Sequence, residues 1–112
     1  MSFDWRAHEA EELERHFNPR VAVPEAAELL ERYAARAAAA RQALPGTYDM
    51  RYGSGEKQTF DLHPPARPAD GKPLLVFIHG GYWRALDKSD HSFVVPVFTA
   101  AGATVVNLNY DL

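Results

Sequence analysis

The residues best placed to do chemistry are His79-Gly80-Gly81, followed by Tyr82 and Trp83, directly after the apolar run Leu74-Leu75-Val76-Phe77-Ile78. Paired glycines open backbone torsions that side chains close, and they bare N–H groups towards an anion or a developing oxyanion. A Gly-Gly pair alone is more often a tight turn without chemistry, so its setting must decide. Other constellations fail. Asp90-His91-Ser92 spells a triad in order, but adjacent helical residues point about 100° apart and cannot form a relay, so helix-start chemistry is the better reading. The histidines His8, His16, His63, His79 and His91 fall on different elements, without the spacing a metal needs. Only His79 lies near the turn, where a structural histidine bonding the backbone is expected rather than a general base. Gly80-Gly81 also lacks the Gly-x-Gly-x-x-Gly spacing of a dinucleotide site. No cofactor and no metal are expected.

The elements that must position this turn follow from periodicity. Asp4 can cap a first helix whose apolar positions Trp5, Leu13 and Phe17 recur at helical spacing, with Glu11 and Arg15 as an i,i+4 pair; Asn18-Pro19 ends it. A second helix is predicted from about Pro24 to Leu44, before Pro45-Gly46, with Leu29, Leu30 and Tyr33 as its buried stripe and Glu28 and Arg32 on the wet side. The alanines at 37–40 are helix formers with little to bury. The period then alternates: Tyr48, Met50 and Tyr52 mark one strand, Phe60 and Leu62 a second, and Gly53-Ser54-Gly55 turns between them. Pro64 to Pro73 reads as a loop. The run 74–78, apolar without alternation, fits a central strand covered on both faces. Asp87 to Ala101 is a helix, or a helical turn plus a helix, because Pro96 suits a new first turn; Gly102 is a plausible C-cap. A last apolar strand spans Thr104 to Tyr110. Strand, glycine turn, helix and strand make a βαβ unit, and open α/β sheets place sites beyond the carboxyl ends of their strands.

Composition narrows the function. With 112 residues, 46% hydrophobic and 24% charged, the chain is long enough for a modest core. A formal charge of −3 supplies no basic field for nucleic acid or anionic lipid. The absence of cysteine excludes a thiol nucleophile and disulfides. No apolar run nears the roughly 18 residues of a membrane span, and the N-terminus carries acids where a signal peptide is basic, so a cytoplasmic location without membrane or nucleic-acid partners is expected.

The string LLVFIHGGYWRALDKSDHSF, with Ala-Gly-Ala and the strand ending Asn-Leu-Asn-Tyr-Asp-Leu, resembles the arylformamidase (kynurenine formamidase) and related carboxylesterase branch of the α/β hydrolases. The resemblance covers about residues 48–112 and, more loosely, Phe17-Asn18-Pro19-Arg20. It implies that Gly81 and Tyr82 supply oxyanion-hole N–H groups, that His79 and Gly80 shape the turn, and that Trp83 lies near the substrate. It also implies a serine nucleophile on a Gly-x-Ser-x-Gly elbow, then an acid and a histidine. Of the four serines, Ser2 is terminal, Ser54 sits between antiparallel strands, and Ser89 and Ser92 fall in a helical region. A helix, loops and one more strand take about 30 to 45 residues, placing the elbow beyond Leu112.

The expected fold is therefore α/β, the N-terminal part of an α/β-hydrolase fold: a helical extension over 1–46, then over 47–112 an antiparallel strand pair and a βαβ unit of a mostly parallel sheet. This forms one incomplete domain. The expected function is the oxyanion-hole part of a serine hydrolase cleaving small-molecule esters or amides, with a complementing C-terminal half or a homo-oligomer as partner. The alternative is a non-catalytic remnant serving as a binding or interaction module.

Overall fold

Alternation in two segments and an uninterrupted apolar run in a third produce the strands that the sequence predicts, joined in a mixed sheet. The computed structural model describes residues 3–68, 70–71 and 73–112. Ser2 and positions 69 and 72 of the Pro64–Pro73 loop lie outside the described residues. Strands β1 (Thr47–Arg51), β2 (Thr59–His63), β3 (Leu74–Ile78) and β4 (Thr104–Leu108) take the order β1-β2-β4-β3. The pairs β1/β2 and β2/β4 are antiparallel, and β3/β4 is parallel. The hairpin and the βαβ unit are thus joined through β2 and β4. The chain is a mixed α/β structure with a four-stranded mixed sheet.

The residues divide into two units, 1–32 and 33–112, with the boundary inside α3 (Ala26–Ala43). In the first unit the single helix expected from Asp4 is broken. Asp4 caps only a 3-10 turn, Trp5–Ala7, through the Arg6 N–H, and His8 is extended before α1 (Ala10–Phe17) begins. Trp5 therefore shares no helical stripe with Leu13 and Phe17. Asn18 ends α1 and its side chain caps the short α2 (Pro19–Ala22), a start that Pro19 favours. The expected Glu11–Arg15 pair does not form. Glu12 instead meets His8 at 3.0 Å and His16 at 4.0 Å, and the His8 hydrogen bond is the main reason its carboxyl sits below its ordinary range.

Of the expected buried stripe of α3, Leu29 and Leu30 are half-buried. Tyr33 is exposed, whereas Ala37, dismissed as having little to bury, is fully buried. A small side chain is what a close helix approach admits. No helix among the described residues is long and apolar enough to cross a membrane.

Period alone does not say which face of a strand is covered. On β2 the buried residues are Thr59, Asp61 and His63, while Phe60 and Leu62 are half-buried; on β4 Val105 and Asn107 are buried, and Val106 and Leu108 are not. The helical segment that follows β3 packs on the buried side. The opposite face runs apolar across the register from Phe60 and Leu62 through Leu108 and Val106 to Ile78 and Val76. The expected cover on both faces of 74–78 is not met within these residues, where β3 is the edge strand. As the edge strand, β3 leaves Leu74, Val76 and Ile78 at 64%, 51% and 52% exposure. Each forgoes on the order of 1 kcal/mol of burial.

The segment after the turn keeps its predicted form. A 3-10 helix, Lys88–Val94, passes into α4 (Val95–Ala100), with Pro96 in the first turn of α4 and Gly102 following at φ 96°.

Candidate functional site

The turn leaves β3 at its carboxyl end, beside the end of its parallel neighbour β4. Its two glycines differ. Gly80 has room for a Cβ and no positive φ, so only Gly81 uses the torsional freedom that paired glycines open. Gly81 sits at φ 124°, and a Cβ there would lie 2.0 Å from the Ala85 carbonyl oxygen. The Gly81 carbonyl accepts from the N–H groups of Arg84 at 3.1 Å and Ala85 at 3.2 Å. Among the described residues, the N–H groups of Gly81 and Tyr82 donate to no backbone carbonyl or side chain. Tyr82 (φ 58°), Trp83 (φ 60°) and Leu86 (φ 73°) are also left-handed, each costing about 1 to 3 kcal/mol for a residue with a Cβ. The side chains of Tyr82 and Trp83 project, at 88% and 70% exposure, and the Trp83 ring meets Tyr110 edge-on at 4.8 Å.

His79 anchors the entry to this loop. Its ring is buried, with Nδ1 2.6 Å from the Gly80 carbonyl oxygen and Nε2 2.9 Å from Asn109 Oδ1. It stacks on Tyr110 at 4.4 Å, and the Tyr110 hydroxyl donates to the His79 carbonyl at 2.8 Å. The ring thus lies against the backbone carbonyl of the next residue.

The exit is anchored by Asp87. Its carboxylate accepts from Ser89 N–H at 2.9 Å, and Asp90 returns a bond to the Asp87 N–H at 3.0 Å, completing a capping box. Asp90 is thus helix-start chemistry. The neighbouring side chains turn elsewhere, His91 towards the Asp87 carbonyl and Ser92 towards the Lys88 carbonyl. Burial works against ionisation of Asp87, but the Ser89 N–H, the Asn109 amide, the Ser89 hydroxyl and the Lys57 ammonium outweigh it and hold the carboxyl well below its ordinary range.

Beneath the loop lies an ion cluster that periodicity does not reveal. Lys88 Nζ is 2.6 Å from Asp49 Oδ1 and 2.7 Å from Asp61 Oδ1, and Arg41 binds the second Asp61 oxygen at 2.6 Å. Both Asp61 and Lys88 are buried. Asp49 reaches them through an irregularity in β1 and a φ of 56°, which also aims its N–H at Asp61 Oδ1. Asn107 donates to the Lys88 carbonyl at 2.9 Å. The available signal was polar Asn107 and Asn109 at alternate positions of an otherwise apolar strand. Ser54 lies in the β1–β2 turn, and Ser89 and Ser92 serve the capping segment, so none stands on an elbow after a parallel strand.

This chain is similar to kynurenine formamidases. It is 27% identical to that of Danio rerio over 115 residues, covering 97% of this chain and 39% of the relative. It is 29% identical to that of Salmo salar over 117 residues, covering 96% and 39%. The Drosophila melanogaster kynurenine formamidase is 35% identical over 63 residues, 56% of this chain and 21% of its own length. A crystal structure from Silicibacter sp. TM1040, described as that of a candidate thioesterase, superposes with a TM-score of 0.77 at 34% identity, covering 90% of this chain and 38% of that one. The chain spans about two fifths of the length of the first two relatives. No family model matches it.

Proposed function

We infer that the chain is the oxyanion-hole part of an α/β-hydrolase-fold serine hydrolase acting on small amides or esters, aryl formamides first among them. The single observation that carries this reading is the pair of N–H groups, Gly81 and Tyr82, without protein acceptors at the carboxyl end of a parallel strand. Two adjacent donors held by a rigid loop suit the oxygen that gains charge when a nucleophile adds to a carbonyl. The formamidase relatives support the formamide substrate class, and the thioesterase neighbour supports acyl transfer in general. Gly80 and His79 shape the turn in this reading, and Trp83 borders the substrate.

The serine nucleophile, the acid and the histidine base are supplied by polypeptide outside these 112 residues. The serine oxygen bonds to the acyl carbon, its proton passes to the histidine, and collapse of the oxyanion expels the amine, which takes that proton. Water then releases the acid. The open apolar face of β3 fits a complementing segment of this kind.

The test is to assay aryl formamide hydrolysis by the chain alone and joined to the C-terminal remainder of a formamidase relative. The joined protein is expected to turn over and the 112-residue chain to show none above background. Covalent labelling of a single serine within residues 1–112 by a serine-directed reagent, or failure of the folded joined protein to hydrolyse formamides and esters, overturns the reading.

A further inference from the structure

We propose that Asn109 is the positioning residue for the Gly81–Tyr82 N–H pair, one side-chain amide holding both ends of the loop that carries them. The functional half of this rests on the reading of that pair as an oxyanion site; the clamp itself rests on geometry. Asn109 follows β4 and is almost fully buried. Its Oδ1 lies 2.9 Å from His79 Nε2, at the entry to the loop, and accepts from the Lys88 N–H at 3.3 Å, at its exit. Its Nδ2 donates to Asp87 Oδ2 at 2.8 Å, also at the exit. Its backbone is fixed too, the N–H donating to the Thr59 carbonyl at 2.9 Å and the carbonyl accepting from the Tyr52 hydroxyl at 2.6 Å.

Between the two anchors lie Gly81, Tyr82, Trp83 and Leu86, all at positive φ. Backbone in that region persists only where its surroundings over-determine it. Inside the loop the only backbone bonds are those of Arg84 and Ala85 to the Gly81 carbonyl, which fix its middle but not its direction from the sheet. Asn109 supplies that direction by tying residues 79, 87 and 88 to one rigid group. The assignment of oxygen and nitrogen is forced by the partners, because a flipped amide would set its oxygen against the Asp87 carboxylate and its NH₂ against the Lys88 N–H.

Amide hydrogen exchange on the 112-residue chain, followed by NMR, tests the clamp. In Asn109→Ala the exchange of Arg84 and Ala85 is expected to rise about tenfold or more relative to the β2–β4 ladder amides, the scale of losing a buried amide's bonds. Asn109→Asp sets a carboxylate against Asp87 and is expected to loosen the loop similarly. Adding Asp87→Asn to Asn109→Asp reverses donor and acceptor across the same contact, and is expected to bring exchange back to within about twofold of the parent. These carboxamide–carboxylate swaps carry the test if Asn109→Ala does not fold. Exchange at Arg84 and Ala85 that rises only in step with the ladder overturns the clamp, as does a double variant no better than Asn109→Asp. Phenylphosphonate separates the two halves of the proposal. It is expected to shift the Gly81 and Tyr82 amide signals in the parent and the double variant, and less in Asn109→Asp. A loosened loop together with parent amides that ignore phenylphosphonate overturns the oxyanion reading and the functional half with it, while leaving the clamp in place.

Discussion

The two faces of one sheet are built from the same strands and handled in opposite ways. One face buries Thr59, Asp61, His63, Asn107 and Asn109, and most of the polar groups there are engaged, His63 Nε2 and Asn107 Oδ1 being the exceptions. The other presents Leu74, Val76, Ile78, Val106 and Leu108 with little over them. Burial of apolar area alone would have put the second face inside. The covered face instead carries directional contacts, and these fix the loop after β3. Hydrophobic contact fixes that something is covered; hydrogen bonds and ion pairs fix at what angle.

The sharpest way to break this contrast is at the ion cluster. Lys88→Met leaves Asp61 buried with Arg41 as its remaining cation and removes the partner of Asp49, and is expected to cost about 3 to 5 kcal/mol in urea unfolding. A loss below about 1 kcal/mol would mean the cluster is bypassed by solvent. Within the loop, Gly81→Ala is expected to cost about 2 to 3 kcal/mol through its φ and the collision with Ala85, while Gly80→Ala stays within about 0.5 kcal/mol. Equal costs at the two glycines would remove the distinction drawn between them. The smallest effect lies on the open face. Val76→Lys is expected to change stability by less than about 0.5 kcal/mol yet clearly lower the binding of a hydrophobic dye. Unchanged dye binding would show that the apolar face is covered in solution.

What the sequence made legible was local. The apolar run of β3, the turn at His79-Gly80-Gly81, the fresh helical start at Pro96 and the helix-start role of Asp90 each depend on residues within a few positions. The antiparallel union of β2 with β4 depends on segments over forty residues apart, and no turn signal marks it. Alternation of Phe60 and Leu62 with Asp61 and His63 gave the strand but not its inner face, and the apolar residues were the misleading ones. No local pattern marks Asp49, Asp61 and Lys88, because only the fold brings them within bonding distance. In the first unit, capping by Asp4 was read correctly but its reach was not: an extended His8 ends the segment after three residues.

The span of the Asn109 contact also orders events during synthesis. The His79 ring finds its partner thirty residues downstream, so a nascent chain that has exposed β3 but not the end of β4 lacks the group that ties the loop down. Closing such a distance carries an entropic cost that local turns escape. The glycine turn, although legible early in the sequence, is therefore anchored only once Asn109 has been made. Until then its tyrosine and tryptophan ride on a backbone that lacks that anchor.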